Sequence, residues 1–146
     1  MKQKHKSKNE AETLNLAKEL AKNFKGGEVV ALTGDLGAGK TVFTKGLAQG
    51  VGYKKVITSP TFVLMKVYHP DNLTVKNFVH VDCYRIDSSD DLYGIGFNDY
   101  LGRADTVVAI EWADKVSDLL QNKKGHIINV KIKAGRKDLE RIIDIN

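Results

Sequence analysis

Gly34-Asp35-Leu36-Gly37-Ala38-Gly39-Lys40-Thr41 fits the pattern G-x-x-x-x-G-K-[ST] at every position. Each fixed residue type has a physical reason. Gly34, Gly37 and Gly39 admit backbone angles and close approaches that a side chain blocks, so successive N–H groups can turn inward as a cradle for oxyanions. A helix beginning near Lys40 adds the positive end of its dipole. The Lys40 ammonium is placed to reach β- and γ-phosphates, and the Thr41 hydroxyl is a ligand for magnesium. The pattern predicts a nucleoside triphosphate site built on Gly34, Asp35, Leu36, Gly37, Ala38, Gly39, Lys40, Thr41 and the following Val42.

Such a loop works with acids at the ends of neighbouring strands. Asp82 closes the apolar run over 78–81, and Glu111 closes the run over 107–110. Lys40, Asp82 and Glu111 are therefore the catalytic candidates, and Thr41, Asp82 and Glu111 the metal candidates. We expect Asp82 to hold magnesium and Glu111 to position water or the metal's hydration sphere. Ser59-Pro60-Thr61 reads either as a segment that senses the γ-phosphate or as a strand-entry turn. His80 shares the Asp82 face and has no His or Cys partner at ligand spacing, so it reads as packed or hydrogen-bonded. Trp112 reads either as a shield over the site or as core, with packing the default. Asp91–Gly94 fits D-x-x-G, but Asn122–Gly125 lacks the aspartate that reads guanine, which favours adenine and hence ATP.

These residues need elements to hold them. Apolar positions at helical spacing over 11–24 predict a helix that stops at Gly26-Gly27, followed by a buried strand over 28–33 and a helix over 41–49. Residues 61–68 and 73–82 read as a hairpin around the turn-forming 69–72. A helical or irregular stretch over 90–101 precedes a buried strand over 106–110. A last hairpin joins 126–133 to 139–145. The fold class is α/β, a P-loop NTPase-like sandwich with a mixed, largely parallel central sheet and a C-terminal hairpin.

The 146 residues are 42% hydrophobic and 28% charged, ordinary for a soluble domain. No run approaches the roughly 20 apolar residues of a membrane span, and the basic N-terminus lacks the apolar stretch of a secretory signal. Cys83 has no partner cysteine, so the expected location is cytoplasmic. The net charge of +5 sits largely in Lys2, Lys4, Lys6 and Lys8; without those four, the 23 basic residues become 19, against 18 acidic. Residues 1–9 read as a basic flexible tail and 10–146 as one P-loop ATPase domain.

Four motifs together, Gly34–Thr41, Ser59-Pro60-Thr61-Phe62, His80-Val81-Asp82-Cys83-Tyr84-Arg85 and Glu111-Trp112, resemble the TsaE family in order and spacing. Thr13, Leu92–Gly96 and Gly135-Arg136 fit as well, so the resemblance spans roughly residues 10–145. It implies a magnesium-dependent ATPase, weak alone, that serves threonylcarbamoyladenosine modification at tRNA position 37. The partners implied are two subunits of the transferase complex, TsaD-like and TsaB-like, with tRNA engaged indirectly and no membrane. ATP hydrolysis would reset that complex. Thr13 and Arg136 would border the adenine. Ala113-Asp114 and Cys83 depart from the family pattern away from this chemistry. A small-molecule or nucleotide kinase is the alternative, but Arg85, Arg103, Arg136 and Arg141 are too scattered for an arginine-rich lid.

Overall fold

Strand β2 (Glu28–Thr33) is apolar on both sides, and both sides are covered. Val30 and Leu32 join one buried cluster with Ala17, Phe43 and Leu47. Val29 and Ala31 join another with Val79, Val108 and Leu92. That two-sided burial is what a strand needs at the middle of a parallel sheet. The computed structural model describes residues 2–59, 64–121 and 125–146.

The other strands are β1 (Gln3–Ser7), β3 (Met65–Tyr68), β4 (Asn77–Asp82), β5 (Thr106–Glu111), β6 (His126–Ala134) and β7 (Arg141–Ile145). They form one sheet in the order β1-β7-β6-β2-β5-β4-β3. The four inner strands β6, β2, β5 and β4 run parallel. β7, β1 and β3 are antiparallel additions at the flanks. The mixed α/β sheet and both expected hairpins are present.

Helix α1 (Glu10–Ala21) is capped by Asn9, whose side chain accepts the Glu12 N–H at 2.9 Å, while Glu12 accepts the Lys8 N–H at 2.7 Å. Helix α2 (Lys40–Gly50) lies against α1 on one face of the sheet. Glycine makes this contact possible: a Cβ on Gly46 would stand 2.2 Å from Leu14 O and 2.7 Å from Ala17 Cβ. The second face is covered by short pieces only, namely α3 (Asp90–Tyr93), a 3₁₀ turn at Phe97–Asp99, and a 3₁₀ turn at Ala113–Val116 that runs into α4 (Ser117–Gln121). No helix among the described residues is long and apolar enough to cross a membrane.

The flexible-tail expectation for residues 1–9 is corrected, because Gln3–Ser7 is a strand paired with β7 from Gln3↔Ile145 to Ser7↔Arg141. A polar strand of alternating lysines gives no apolar signal; its order comes from backbone pairing and from Ser7, whose hydroxyl meets Thr13 Oγ1 at 2.5 Å. The second strand of the first hairpin begins at Asn77 rather than Leu73. The Asn72 side chain accepts from the Thr74 and Val75 N–H groups and prolongs the turn. Residues 61–63 of its first strand, and 122–124 of the motif dismissed above, lie outside the described residues.

Candidate nucleotide-binding site

The glycine-rich loop joins the end of β2 to the start of α2, and its glycines meet real constraints. Gly34 has φ +147°, and a Cβ there would stand 2.3 Å from Ile132 O. Gly39 has φ +112° and is the N-cap of α2, with no side chain bonded to the first-turn N–H groups. An uncapped helix start is suited to an anion. The loop's outer side is held by Arg141 of β7: Nε donates to Ala38 O at 2.8 Å and Nη2 to Gly37 O at 3.3 Å. Pinning the Ala38 carbonyl outward turns the Gly39 N–H of the same planar peptide inward.

Lys40 is buried, at 4% exposure, and its ammonium donates to Gly34 O at 2.6 Å and Asp35 O at 2.7 Å. It also stands 4.1 Å from the centre of the Trp112 ring, a cation–π contact. Burial lowers its pKa below the ordinary lysine value, opposed by the nearby carboxylates of Glu111, Asp82 and Asp35.

Asp82 and Glu111 are direct partners in the parallel register of β4 and β5. They end those strands on the α2 side of the sheet. Glu111 is the more buried, at 3% exposure, and its two oxygens are both engaged. Oε1 accepts the Thr41 hydroxyl at 2.9 Å, and Oε2 meets His80 Nε2 at 2.5 Å. His80 is fully buried, as its packed or hydrogen-bonded reading requires, and its Nδ1 has no partner among the described residues. Asp82 is half-buried and accepts the Tyr84 N–H at 3.0 Å. Burial raises its carboxyl pKa above the ordinary 3.8, the Tyr84 N–H opposes that, and the Glu111 charge adds to it.

The Thr41 hydroxyl and the carboxylates of Asp82 and Glu111 beside the glycine-rich loop are an all-oxygen donor set, which fits magnesium. Among the described residues no three His, Cys, Asp or Glu side chains make a metal cage by themselves. Magnesium is commonly held by one or two carboxylates together with substrate phosphates.

A cavity of about 370 Å³ gathers most of the expected residues: Leu36, Gly37, Gly39, Lys40, Thr41, Val42, Ser59, Asp82 and Glu111. It adds Glu10 and Tyr84, which the sequence patterns did not assign to the site, and Trp112, which they left between shielding the site and packing in the core. Trp112 is the one non-glycine residue with positive φ, +58°, among the described residues, and its ring lies 5.1 Å from that of Tyr84. Thr13 lies in a small adjoining crevice with Gly37, Gly39, Val42 and Arg141. Gly34, Asp35 and Ala38 complete the loop outside the lining of the main cavity. Arg136 sits exposed on the β6–β7 turn, its N–H bonded to Glu140 at 3.2 Å, and lines neither cavity. Thr61 lies outside the described residues.

Comparison with known proteins gives a consistent result. A family model described as threonylcarbamoyl adenosine biosynthesis protein TsaE matches residues 7–143. A protein of Bacillus subtilis (strain 168) is 40% identical over 126 residues, covering 86% of this chain and 75% of its own length. One from Streptomyces coelicolor is 39% identical over 110 residues, covering 74% and 72%. Both are named tRNA threonylcarbamoyladenosine biosynthesis protein TsaE. A crystal structure of Bacillus subtilis YdiB superimposes with a TM-score of 0.71 at 35% identity, over 99% of this chain and 84% of that one.

Proposed function

The chain belongs to the TsaE family, and from that premise we propose that it is a magnesium-dependent ATPase acting in threonylcarbamoyladenosine biosynthesis on tRNA. The observation that carries the reading is the convergence of Lys40, Thr41, Asp82 and Glu111 on one cavity at the mouth of an uncapped helix. ATP occupies that cavity with its phosphates on the loop. Lys40 exchanges its two loop carbonyls for phosphate oxygens. Magnesium, when bound, screens the charge between the β- and γ-phosphates.

The geometry favours a division of labour opposite to the one drawn from sequence. Glu111 accepts the Thr41 hydroxyl, so these two residues would hold magnesium. Asp82 is bonded instead to a backbone N–H, and its carboxyl is more basic than usual. A more basic carboxylate is the better acceptor for a proton of the attacking water. Trp112 covers the lysine and excludes solvent.

The protein works with two subunits of the tRNA threonylcarbamoyl transferase complex, one TsaD-like and one TsaB-like, in the cytoplasm, and hydrolysis resets that complex between turnovers at position 37. The test is ATP hydrolysis with and without the two cognate partners, beside a tRNA modification assay. Slow turnover alone and a sharp rise with both partners is the expected result. Absence of stimulation together with failure to rescue a modification-deficient strain would sink the reading. Labelled γ-phosphate on an acceptor molecule, in place of free phosphate, would make the protein a kinase.

A further inference from the structure

The ordering of residues 3–7 into β1 changes where the positive charge lies. β1 pairs with β7, and β7 with β6. The registers align Lys4, Asp144 and Lys131 in one cross-strand row, and Lys6, Ile142 and Lys133 in the next. Strand side chains alternate between faces. Val130, Ile132, Ile143 and Ile145 point into the core beneath α1 and α2, so these two rows stand on the opposite face. The short helices of the second layer pack over β2, β4 and β5 and leave this part of the sheet open. The result is an exposed concavity of about 740 Å³ whose lining includes Lys2, Lys4, Lys131 and Lys133. Asp144 is the one acidic residue lining it, and among the described residues it forms no salt bridge.

We propose that this open lysine face of β1, β7 and β6 binds the phosphate backbone of tRNA. Edge protection explains lysines on β1, because charge on an edge strand blocks unwanted pairing. It does not explain Lys131 and Lys133, which lie on β6 between β2 and β7. Protein-docking faces are rich in aromatic, Met and Arg anchors and poor in lysine. This face has the reverse composition, with Ile142 as the one apolar side chain in its two rows. Lysines spaced two residues apart along a strand recur about every 7 Å, a repeat suited to successive phosphates. With no aromatic platform for bases, recognition is of backbone charge and independent of sequence. The proposal takes only its choice of RNA from the proposed function; the face itself lies outside the nucleotide cavity.

The test uses the full chain and a fluorescently labelled tRNA transcript, with anisotropy read in saturating ATP so that the nucleotide cavity is filled. Four lysine–phosphate contacts give a log–log salt slope of about −3, so the Kd should rise about sixty-fold between about 50 and 200 mM salt. The double variant Lys131→Glu/Lys133→Glu should bind more than about tenfold more weakly with a flatter slope. Its thermal midpoint and ATP hydrolysis should match the wild type. Absent or salt-independent tRNA binding by the wild type overturns the proposal, as does unchanged tRNA affinity in the double variant. A variant that keeps tRNA but loses a partner protein makes the face a protein interface and also overturns it. Loss of partner-stimulated hydrolysis in the wild type would count against the ATPase reading and leave this one standing.

Discussion

The Thr41 hydroxyl donates to the Glu111 carboxylate at 2.9 Å, linking residues 70 positions apart in the chain. That bond ties the first turn of α2 to the end of β5. Glu111→Gln keeps the side-chain volume but replaces an acceptor-only carboxylate by an amide, removing its charge from the site. We expect ATP hydrolysis to fall by at least about 10²-fold. Binding of a fluorescent ATP analogue should change only a few-fold, since the glycine loop is untouched. Phosphate release and analogue titration on the same preparation decide the matter, and an equal hydrolysis rate would remove Glu111 from the mechanism.

Arg141 acts on the other side of the loop, where it holds the carbonyls of Gly37 and Ala38. Arg141→Ala leaves those carbonyls to solvent and lets the loop sample arrangements that do not fit phosphate. Hydrogen bonds from a charged donor are worth about 1.5–3 kcal/mol, so nucleotide affinity should fall at least about tenfold. Turnover at saturating ATP should change far less. Arg141→Lys should recover only part of the affinity, because an ammonium cannot supply the guanidinium's fork of donors. Full recovery by lysine would show that charge alone, and not the fork, holds the loop.

Two glycines outside the loop make a controlled comparison of packing. A Cβ on Gly46 would meet Leu14 O at 2.2 Å and Ala17 Cβ at 2.7 Å, whereas one on Gly94 would meet nothing within 4 Å. Gly46→Ala should therefore cost about 1–3 kcal/mol by forcing α1 and α2 apart. Gly94→Ala should be close to neutral. Urea denaturation of both variants measures the difference. Equal midpoints would mean that the two helices separate freely at that contact.

The glycine-rich loop between β2 and α2 was legible because its pattern is local: eight consecutive residues carry the turn, the lysine and the hydroxyl. Asp82 and Glu111 were legible as strand ends, since an apolar run that stops at an acid marks both the strand and its mouth. The bond between Thr41 and Glu111 was not, because it depends on which strands become neighbours. Arg141 carries no motif and reaches the loop only through the β6–β7 hairpin. The positive φ of Trp112 and the stacking with Tyr84 likewise belong to tertiary context. β1 was missed because a polar, lysine-bearing strand lacks the apolar alternation that reveals a half-buried one. The same alternation, read after the register is known, is what collects the lysines on one face.

Asp82 offers a test in which stability and function part company. Its carboxyl pKa is raised above 3.8, chiefly by burial. The folded protein thus holds that proton at a pH where the unfolded chain has released it. The favourable contribution is fully present below the unfolded value and is lost as pH rises through the raised folded value. At neutral pH the charged form therefore destabilises the metal-free fold. Asp82→Asn removes that charge while keeping an oxygen to accept the Tyr84 N–H. In a chelator-containing buffer the variant should melt higher than wild type near about pH 7, and the gap should close toward about pH 4 as the wild-type carboxyl protonates. On the proposed role of Asp82 as proton acceptor, hydrolysis should fall in the same variant, because an amide is not a basic acceptor. Melting curves across that range separate the contributions: a gap that stays constant with pH would assign the stability change to packing rather than to the buried charge.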